Sequence, residues 1–149
     1  MTTNTEILND LIKINNDRIE GYEKAANETD ERDADLRQLF HGLANDSRDY
    51  AQQLKDQTVG KGPSPEKETT VSGEIYRVWM DIKATFSGKG RKAILSSCEF
   101  GEDAAQKAYQ KALDGKDLVG LARDIVAEQK TKLRQAHDKI KRLRDMQPA

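Results

Sequence analysis

The sequence is poor in cysteine, proline and histidine: it has one, three and two of these residues among 149. The single cysteine, Cys98, excludes an intramolecular disulfide and a cysteine zinc cluster. The scarcity of proline leaves long stretches that can form uninterrupted helices. With only His41 and His137 available, and no serine or cysteine beside them in a catalytic pattern, the sequence argues against nucleophilic catalysis.

Long apolar runs and an excess of one charge are also missing. No apolar run approaches the roughly 20 residues that span a bilayer, and the N-terminal MTTNTEILND has neither the basic nor the apolar region of a secretory signal. We therefore expect a cytoplasmic protein with no membrane span. Lys and Arg number 25 against 26 Asp and Glu, and acidic residues interrupt the basic last segment, so we expect no nucleic-acid partner.

Apolar residues recur at alternating intervals of three and four in four long segments, which predicts four amphipathic helices. The four stripes are Leu8, Leu11, Ile12, Ile19, Tyr22 and Ala26; Leu36, Leu39, Phe40, Leu43, Tyr50 and Leu54; Ile94, Leu95, Cys98, Ala105, Tyr109 and Ala112; and Leu118, Leu121, Ala122, Ile125, Leu133, Ile140 and Leu143. No segment alternates with period two for long enough to be a strand. The chain is therefore predicted to be one all-α domain over residues 1–149.

The connection between the second and third helices differs from the other two, which are short. It spans about residues 57–90 and includes VGKGPSPEKETT (Val59–Thr70), rich in glycine and proline. We expect residues 57–72 to be the most mobile internal stretch, followed by a short extra helix over Ile75–Phe86. An antiparallel four-helix bundle with one long crossover at this point has the ferritin-like arrangement.

The two helical hairpins align when 87 is added to the residue number, so that Tyr22 falls on Tyr109 and Tyr50 on His137. One polar residue per helix also interrupts the apolar stripes. These residues are Asn15, Ser47, Glu102 and His137. Since they occupy inward positions at matching heights, we expect their side chains to converge at the centre of the bundle, with the paired tyrosines one to two turns away.

Four segments carry a family resemblance. They are LNDLIKINNDRIEGYEKAA (Leu8–Ala26), WMDIKA (Trp79–Ala84), CEFGEDAAQKAYQKAL (Cys98–Leu113) and AHDKIKRLRD (Ala136–Asp145). In these segments the chain resembles the ferritin-like superfamily, and most closely a bacterial branch of ferritin-like four-helix-bundle proteins of uncharacterised function. The resemblance implies the bundle fold and a role connected with stress.

Metal-binding ferritin-like proteins place a Glu on the first and third helices and a Glu-x-x-His on the second and fourth. The resemblance maps these six positions onto Asn15, Ser47, Tyr50, Glu102, Arg134 and His137. Only Glu102 and His137 retain a ligand type of the family, and the positive charge of Arg134 opposes a cation. A di-iron oxidase or ferroxidase site is therefore not expected, and the resemblance implies no catalytic residue.

Two interpretations of the Glu102–His137 pair remain open. The two side chains either hold one divalent ion weakly, zinc or iron, with Asn15 or water completing its shell, or form a buried carboxylate–imidazole hydrogen bond. The carboxylate of Glu99 is expected to be solvated beside the stripe. The sequence favours a non-enzymatic bundle that acts as a homo-oligomer or through a protein partner, and a degenerate metal-binding protein is the alternative.

Overall fold

The computed structural model describes residues 4–58 and 90–147. Four long helices account for nearly all of them: α1 (Asn4–Glu28), α2 (Ala34–Asp56), α3 (Gly90–Asp114) and α4 (Gly120–Asp145), with a 3-10 turn over Glu31–Asp33. These two ranges contain no strand, which confirms the prediction of an all-α helical bundle. No helix within them is long and apolar enough to cross a membrane. The predicted helix over Ile75–Phe86 and nearly all of the stretch 57–72 lie outside the described residues.

Helices α1 and α2 contact each other in opposite sequence order. The rings of Tyr22 in α1 and Phe40 in α2 stack with their centroids 5.8 Å apart, whereas earlier in α1 Asn15 bonds Ser47, later in α2. Contacts also join α1 to α3, α2 to α4 and α3 to α4. Each helix therefore packs against two others around a common interior.

The turn between α3 and α4 is held by one arginine. Arg123 donates from Nη2 to the carbonyl oxygen of Leu113 at 2.7 Å and from Nη1 to that of Leu118 at 3.2 Å. It therefore satisfies carbonyl groups that the end of α3 leaves without a helical partner. Gly120 begins α4 with a φ of 65°, a conformation that glycine adopts without steric cost. Leu118, predicted as the start of the fourth helix, lies in this turn and is buried.

The apolar core consists of two clusters at different heights. One contains Tyr22, Ala25, Ala26, Leu36, Phe40, Leu43, Ala44, Ile94, Leu95, Cys98 and Ile140. The other contains Leu8, Leu11, Ile12, Ile14, Tyr50, Leu54, Ala105, Tyr109, Leu118, Ala122, Val126 and Leu133. In the first three helices, buried polar side chains lie between the two clusters, among them Asn15, Arg18, Ser47 and Glu102. A polar layer therefore separates two apolar layers.

Truncating a core aromatic is expected to destabilise the bundle. Phe40 is fully buried and stacks on Tyr22, so Phe40→Ala should lower the free energy of unfolding by about 3–5 kcal/mol through lost burial and a residual cavity. Leu121 is 64% exposed at the start of α4 and supplies the surface control. Leu121→Ala should change the free energy of unfolding by no more than about 0.5 kcal/mol. Urea denaturation monitored by circular dichroism measures both values, and equal losses would contradict the assignment of the core.

Candidate functional site

The centre of the polar layer is an ion pair between Arg18 in α1 and Glu102 in α3. Arg18 donates from Nε to Oε1 of Glu102 at 2.5 Å and from Nη2 to Oε2 at 3.0 Å. Both side chains are only 1% exposed. Two parallel hydrogen bonds between a planar guanidinium and a carboxylate form the strongest and most directional kind of ion pair in proteins. The pair therefore joins α1 to α3 across the interior.

Arg18 reaches the centre because of its spacing along α1. Leu11, Asn15, Arg18 and Tyr22 follow one another at intervals of four, three and four, so they share one helical face. Apolar periodicity predicts the neighbouring Ile19 on this stripe instead of Arg18. Ile19 is in fact partly exposed. The spacing from Asn15 to Tyr22 was the available signal, and it was overlooked because a charged residue rarely occupies a core position.

Hydrogen bonds extend the ion pair to α2. Arg18 donates from Nη1 to Oγ of Ser47 at 2.5 Å, and the Ser47 hydroxyl donates to Oδ1 of Asn15 at 3.0 Å. The amide of Asn15 donates to the hydroxyl of Tyr109 at 2.8 Å. Each buried polar group on this path therefore has a partner, as a low-dielectric interior requires.

Tyr109 continues the network to α4. Its hydroxyl donates to Oε1 of Gln129 at 2.7 Å. The amide of Gln129 in turn donates to Oε1 of Gln53 at 2.8 Å and to the backbone carbonyl of Tyr50 at 3.2 Å. Gln129 is 1% exposed. The prediction of one polar residue per helix assigned that place in the last helix to His137, so Gln129 was missed. All four helices therefore contribute to one connected network.

Burial and charge shift the pKa values of the groups around the ion pair. Burial lowers the pKa of Arg18, but the adjacent Glu102 carboxylate more than offsets this and raises it above the ordinary value. The guanidinium also lies over the ring of Tyr22, with Cζ 5.1 Å from the centroid, a favourable cation–π geometry. Burial raises the pKa of Tyr22 and Tyr109. Arg18 is therefore a permanent cation among neutral hydroxyl groups.

Three of the four polar residues predicted at the centre meet there. Asn15, Ser47 and Glu102 belong to the network, with Arg18 between Ser47 and Glu102. Of the other mapped positions, Tyr50 contributes its backbone carbonyl, and Arg134 is 65% exposed and donates to Asp138. The sequence therefore predicts the position of the polar layer correctly, but it does not predict Arg18 as the cation at its centre.

Glu102 and His137 have different hydrogen-bond partners in the structure. Arg18 occupies both carboxylate oxygens of Glu102, because a guanidinium can bond both at once. His137 lies instead at the seam between α3 and α4, where its Nε2 is 2.7 Å from Oδ1 of Asp103 and 3.9 Å from Oε1 of Glu99. On its other side, Nδ1 is 3.0 Å from Oδ1 of Asp138.

Glu99 is not the solvated residue that the sequence predicted. Its side chain is 12% exposed, and Arg144 bonds its Oε2. The hydrogen bond from His137 is the main reason that the pKa of Asp138 lies below its ordinary range, and a hydrogen bond from Arg134 lowers it further. His137 therefore belongs to a separate cluster of side chains at the edge of the bundle, in which carboxylate oxygens face both of its ring nitrogens.

The central residues do not fit the dinuclear metal centre that the family resemblance would imply. Two divalent ions need several anionic oxygens for neutralisation. Glu102 is the only carboxylate among the six mapped positions, and it is already neutralised by Arg18. The central site is suited to holding the helices in register, since its hydrogen bonds form only when all four helices are correctly aligned.

Four amphipathic helices around a buried polar layer define an all-α helical-bundle protein. The family described as "Domain of unknown function (DUF2383)" matches residues 3–115. The chain belongs to this family. No curated protein and no solved structure matches it. The matched residues include both members of the ion pair, whereas Gln129 and His137 lie beyond them.

Replacing one member of the ion pair is expected to lower the free energy of unfolding more than replacing both members. Glu102→Ala leaves the guanidinium of Arg18 buried without a counter-charge, so the free energy of unfolding should fall by about 3–5 kcal/mol. The double variant Arg18→Met with Glu102→Leu removes both charges and should recover most of this loss. Chemical denaturation of the single and double variants measures the coupling. A loss below about 1 kcal/mol in Glu102→Ala would contradict the proposed importance of the pair.

The thiol of Cys98 is expected to be unreactive in the folded protein. Cys98 is fully buried, and burial, with the nearby Glu102 carboxylate, raises its pKa well above the ordinary value. Since the thiolate is the reactive form, a raised pKa slows alkylation and disulfide exchange at pH 8. A chromogenic disulfide reagent should therefore react slowly with the native protein and rapidly after addition of denaturant. Fast reaction in the native state would show that this end of the core opens readily.

Proposed function

We propose that this protein is a non-enzymatic, antiparallel ferritin-like bundle that acts by self-association, with the stress-related role that the family resemblance implies. The opposite sequence order of contacts between α1 and α2 supports the antiparallel arrangement. The central network supports a structural role for the buried polar residues, because Arg18 bonds both Glu102 and Ser47 there. Recognition then depends on the outer surface of the helices.

The exposed side chain of Phe100 is the main support for this proposal. It lies in the first half of α3 with 67% of its surface exposed. Aromatic residues are enriched at protein–protein interfaces because a rigid ring buries a large apolar area at small entropic cost. Burying such a ring in an interface contributes about 1.5–3 kcal/mol. A contact centred on Phe100 therefore gives a reversible association rather than an obligate one.

The charge balance favours a second copy of the chain as the partner. With 25 basic and 26 acidic residues, the net charge is −1. Two copies therefore experience almost no long-range repulsion, whereas strongly charged proteins are kept apart by it. Alternating charges on the outer helix faces can pair around the apolar contact. A homo-oligomer is the simplest assembly that meets these conditions.

Phe100→Ser is expected to weaken self-association by roughly 10- to 100-fold, the affinity equivalent of the apolar burial energy that it removes. Sedimentation equilibrium over a range of protein concentrations measures the dissociation constant. Leu121→Ser is the matched control, because Leu121 is 64% exposed at the start of α4. Its dissociation constant should stay close to that of the unmodified protein. A monomer at all concentrations, or equal weakening by both variants, would reject the proposal.

The alternative function, one zinc or iron ion held by Glu102 and His137, has weaker support. Glu102 has both oxygens bonded to Arg18, and His137 bonds Asp103 and Asp138. A metal ion at Glu102 would have to displace a buried guanidinium, which would then lack a counter-charge. Self-association requires no such rearrangement.

A further inference from the structure

We propose that Glu99, Asp103 and His137 form a binding site for one divalent transition-metal ion of the zinc class, at the seam between α3 and α4. This site is distinct from the ion pair at the centre, and it goes beyond the proposed self-association. One ligand atom from each of the three side chains lies within 4.8 Å of the others. The following observations support a bound cation.

The helices bring the three ligand atoms together from two sides. Glu99 and Asp103 are four residues apart in α3, so their side chains lie one turn apart on the same helical face. His137 in α4 lies opposite, with Nε2 2.7 Å from Oδ1 of Asp103 and 3.9 Å from Oε1 of Glu99. The backbone of two packed helices therefore sets the ligand spacing, as in metal sites built inside helical bundles.

The burial of the three side chains suits a bound ion that enters from solvent. Glu99 is 12% exposed and His137 14% exposed, whereas Asp103 is 48% exposed. Partial burial strengthens the attraction between a carboxylate and a cation, because screening by water is reduced. The exposed Asp103 leaves the cluster open on one side. A hydrated ion can therefore enter and retain water as a further ligand.

Asp138 orients the imidazole for metal binding. Its Oδ1 lies 3.0 Å from Nδ1 of His137 and also accepts a hydrogen bond from Nε of Arg134. A carboxylate on one ring nitrogen keeps the proton on that nitrogen and leaves the lone pair on the other. With a metal ion between Nε2 and Asp103, Asp138 therefore accepts the Nδ1 proton and increases the basicity of Nε2.

The carboxylate oxygens around Nε2 of His137 are arranged to bind a cation. Carboxylate oxygens face both ring nitrogens of His137, that of Asp138 at Nδ1 and those of Asp103 and Glu99 at Nε2. With the single proton of a neutral imidazole on Nδ1, Nε2 presents a lone pair to the oxygens of Asp103 and Glu99. Three electron-rich atoms at this distance repel one another unless a second proton or a metal ion lies between them. A divalent ion satisfies all three at once, whereas a proton on Nε2 bonds mainly the nearer oxygen of Asp103.

Small side-chain movements convert the cluster to metal geometry. Zinc–nitrogen and zinc–oxygen bonds of about 2.1 Å at tetrahedral angles place neighbouring ligand atoms about 3.4 Å apart. The separation between Nε2 and Asp103 must therefore widen from 2.7 Å, and that between Nε2 and Glu99 must shorten from 3.9 Å. Asp103 is half exposed and can rotate. Three protein ligands with water in the fourth position form an open zinc site.

Arg144 distinguishes this cluster from the ion pair at the centre. It bonds Oε2 of Glu99, while Oε1 is the oxygen nearer to His137. Arg144 also bonds Asp145 at 2.8 Å, so its positive charge is shared between two carboxylates. At the centre, by contrast, one guanidinium occupies both oxygens of Glu102. Arg144 therefore positions the Glu99 carboxylate and leaves one of its oxygens for a metal ion.

The donor set selects the class of metal ion. Imidazole nitrogen favours zinc, iron, nickel and copper over magnesium and calcium, and two carboxylate oxygens are compatible with each of these transition metals. Zinc imposes no particular coordination geometry and undergoes no redox chemistry. It also binds more tightly than manganese or ferrous iron in nitrogen and oxygen sites. We therefore expect one Zn²⁺ per chain, with Co²⁺ as a spectroscopic substitute.

The test is isothermal titration of the chelator-treated, full-length protein with ZnCl₂. One equivalent should bind, and the melting temperature should rise with the zinc concentration. His137→Gln and Asp103→Asn should each weaken binding by at least tenfold. Asp138→Asn, which removes only the orienting carboxylate, should weaken it by about 10- to 100-fold. Circular dichroism checks that each variant is folded.

His41→Gln is the matched control. His41 is the other histidine of the sequence, and its Nδ1 lies 3.1 Å from a single carboxylate, that of Glu23. Its replacement should leave zinc affinity and the visible absorption of bound Co²⁺ unchanged, while His137→Gln should abolish that absorption. Unchanged affinity in folded His137→Gln, or equal loss in His41→Gln, would overturn the proposal. Unchanged zinc affinity in Asp103→Asn would also overturn it, because the proposed three-ligand site requires a carboxylate oxygen of Asp103.

Discussion

The ion pair between Arg18 and Glu102 is the interaction on which the rest of the bundle depends. Two charges that are each 1% exposed lose nearly all contact with water, and only a well-placed partner compensates that loss. The fold must therefore bring α1 and α3 to one relative height and no other. The hydroxyl of Ser47 extends the same requirement to α2. A single buried charge pair thus imposes alignment on three helices.

The polar layer matters because apolar packing alone specifies register weakly. Helices that contact through similar aliphatic side chains can slide by one turn at modest cost. A slide by one turn here would separate the guanidinium from the carboxylate and leave both unsatisfied in a low-dielectric interior. The two apolar clusters supply most of the burial energy. The layer between them selects the one alignment in which that energy is gained without a buried unpaired charge.

The central ion pair and the cluster at the seam between α3 and α4 both contain carboxylates, but the residues next to those carboxylates differ. At the centre, Arg18 neutralises a carboxylate completely and keeps it inside the protein. At the seam, the carboxylates of Glu99, Asp103 and Asp138 surround one imidazole, and Asp103 remains half exposed. The central groups are therefore suited to stability. The groups at the seam remain accessible to ions in solution, and they lie partly on α4, beyond the residues that the DUF2383 family matches.

The four long helices and most of the polar layer could be predicted from the sequence. Apolar periodicity located α1 to α4 because each helix must bury one face, and polar interruptions of that periodicity marked Asn15, Ser47 and Glu102. Which of these groups pair with one another depends on the packing between helices. Arg18 and Ile19 are adjacent, and a one-residue rotation of α1 exchanges them between the core and the edge, so composition favoured the wrong one. His137 lay on the correct stripe, but rotation of α4 by part of a turn directs it to Asp103 rather than to Glu102. Such rotations depend on how side chains of separate helices fit together, and periodicity within one helix contains no information about that fit.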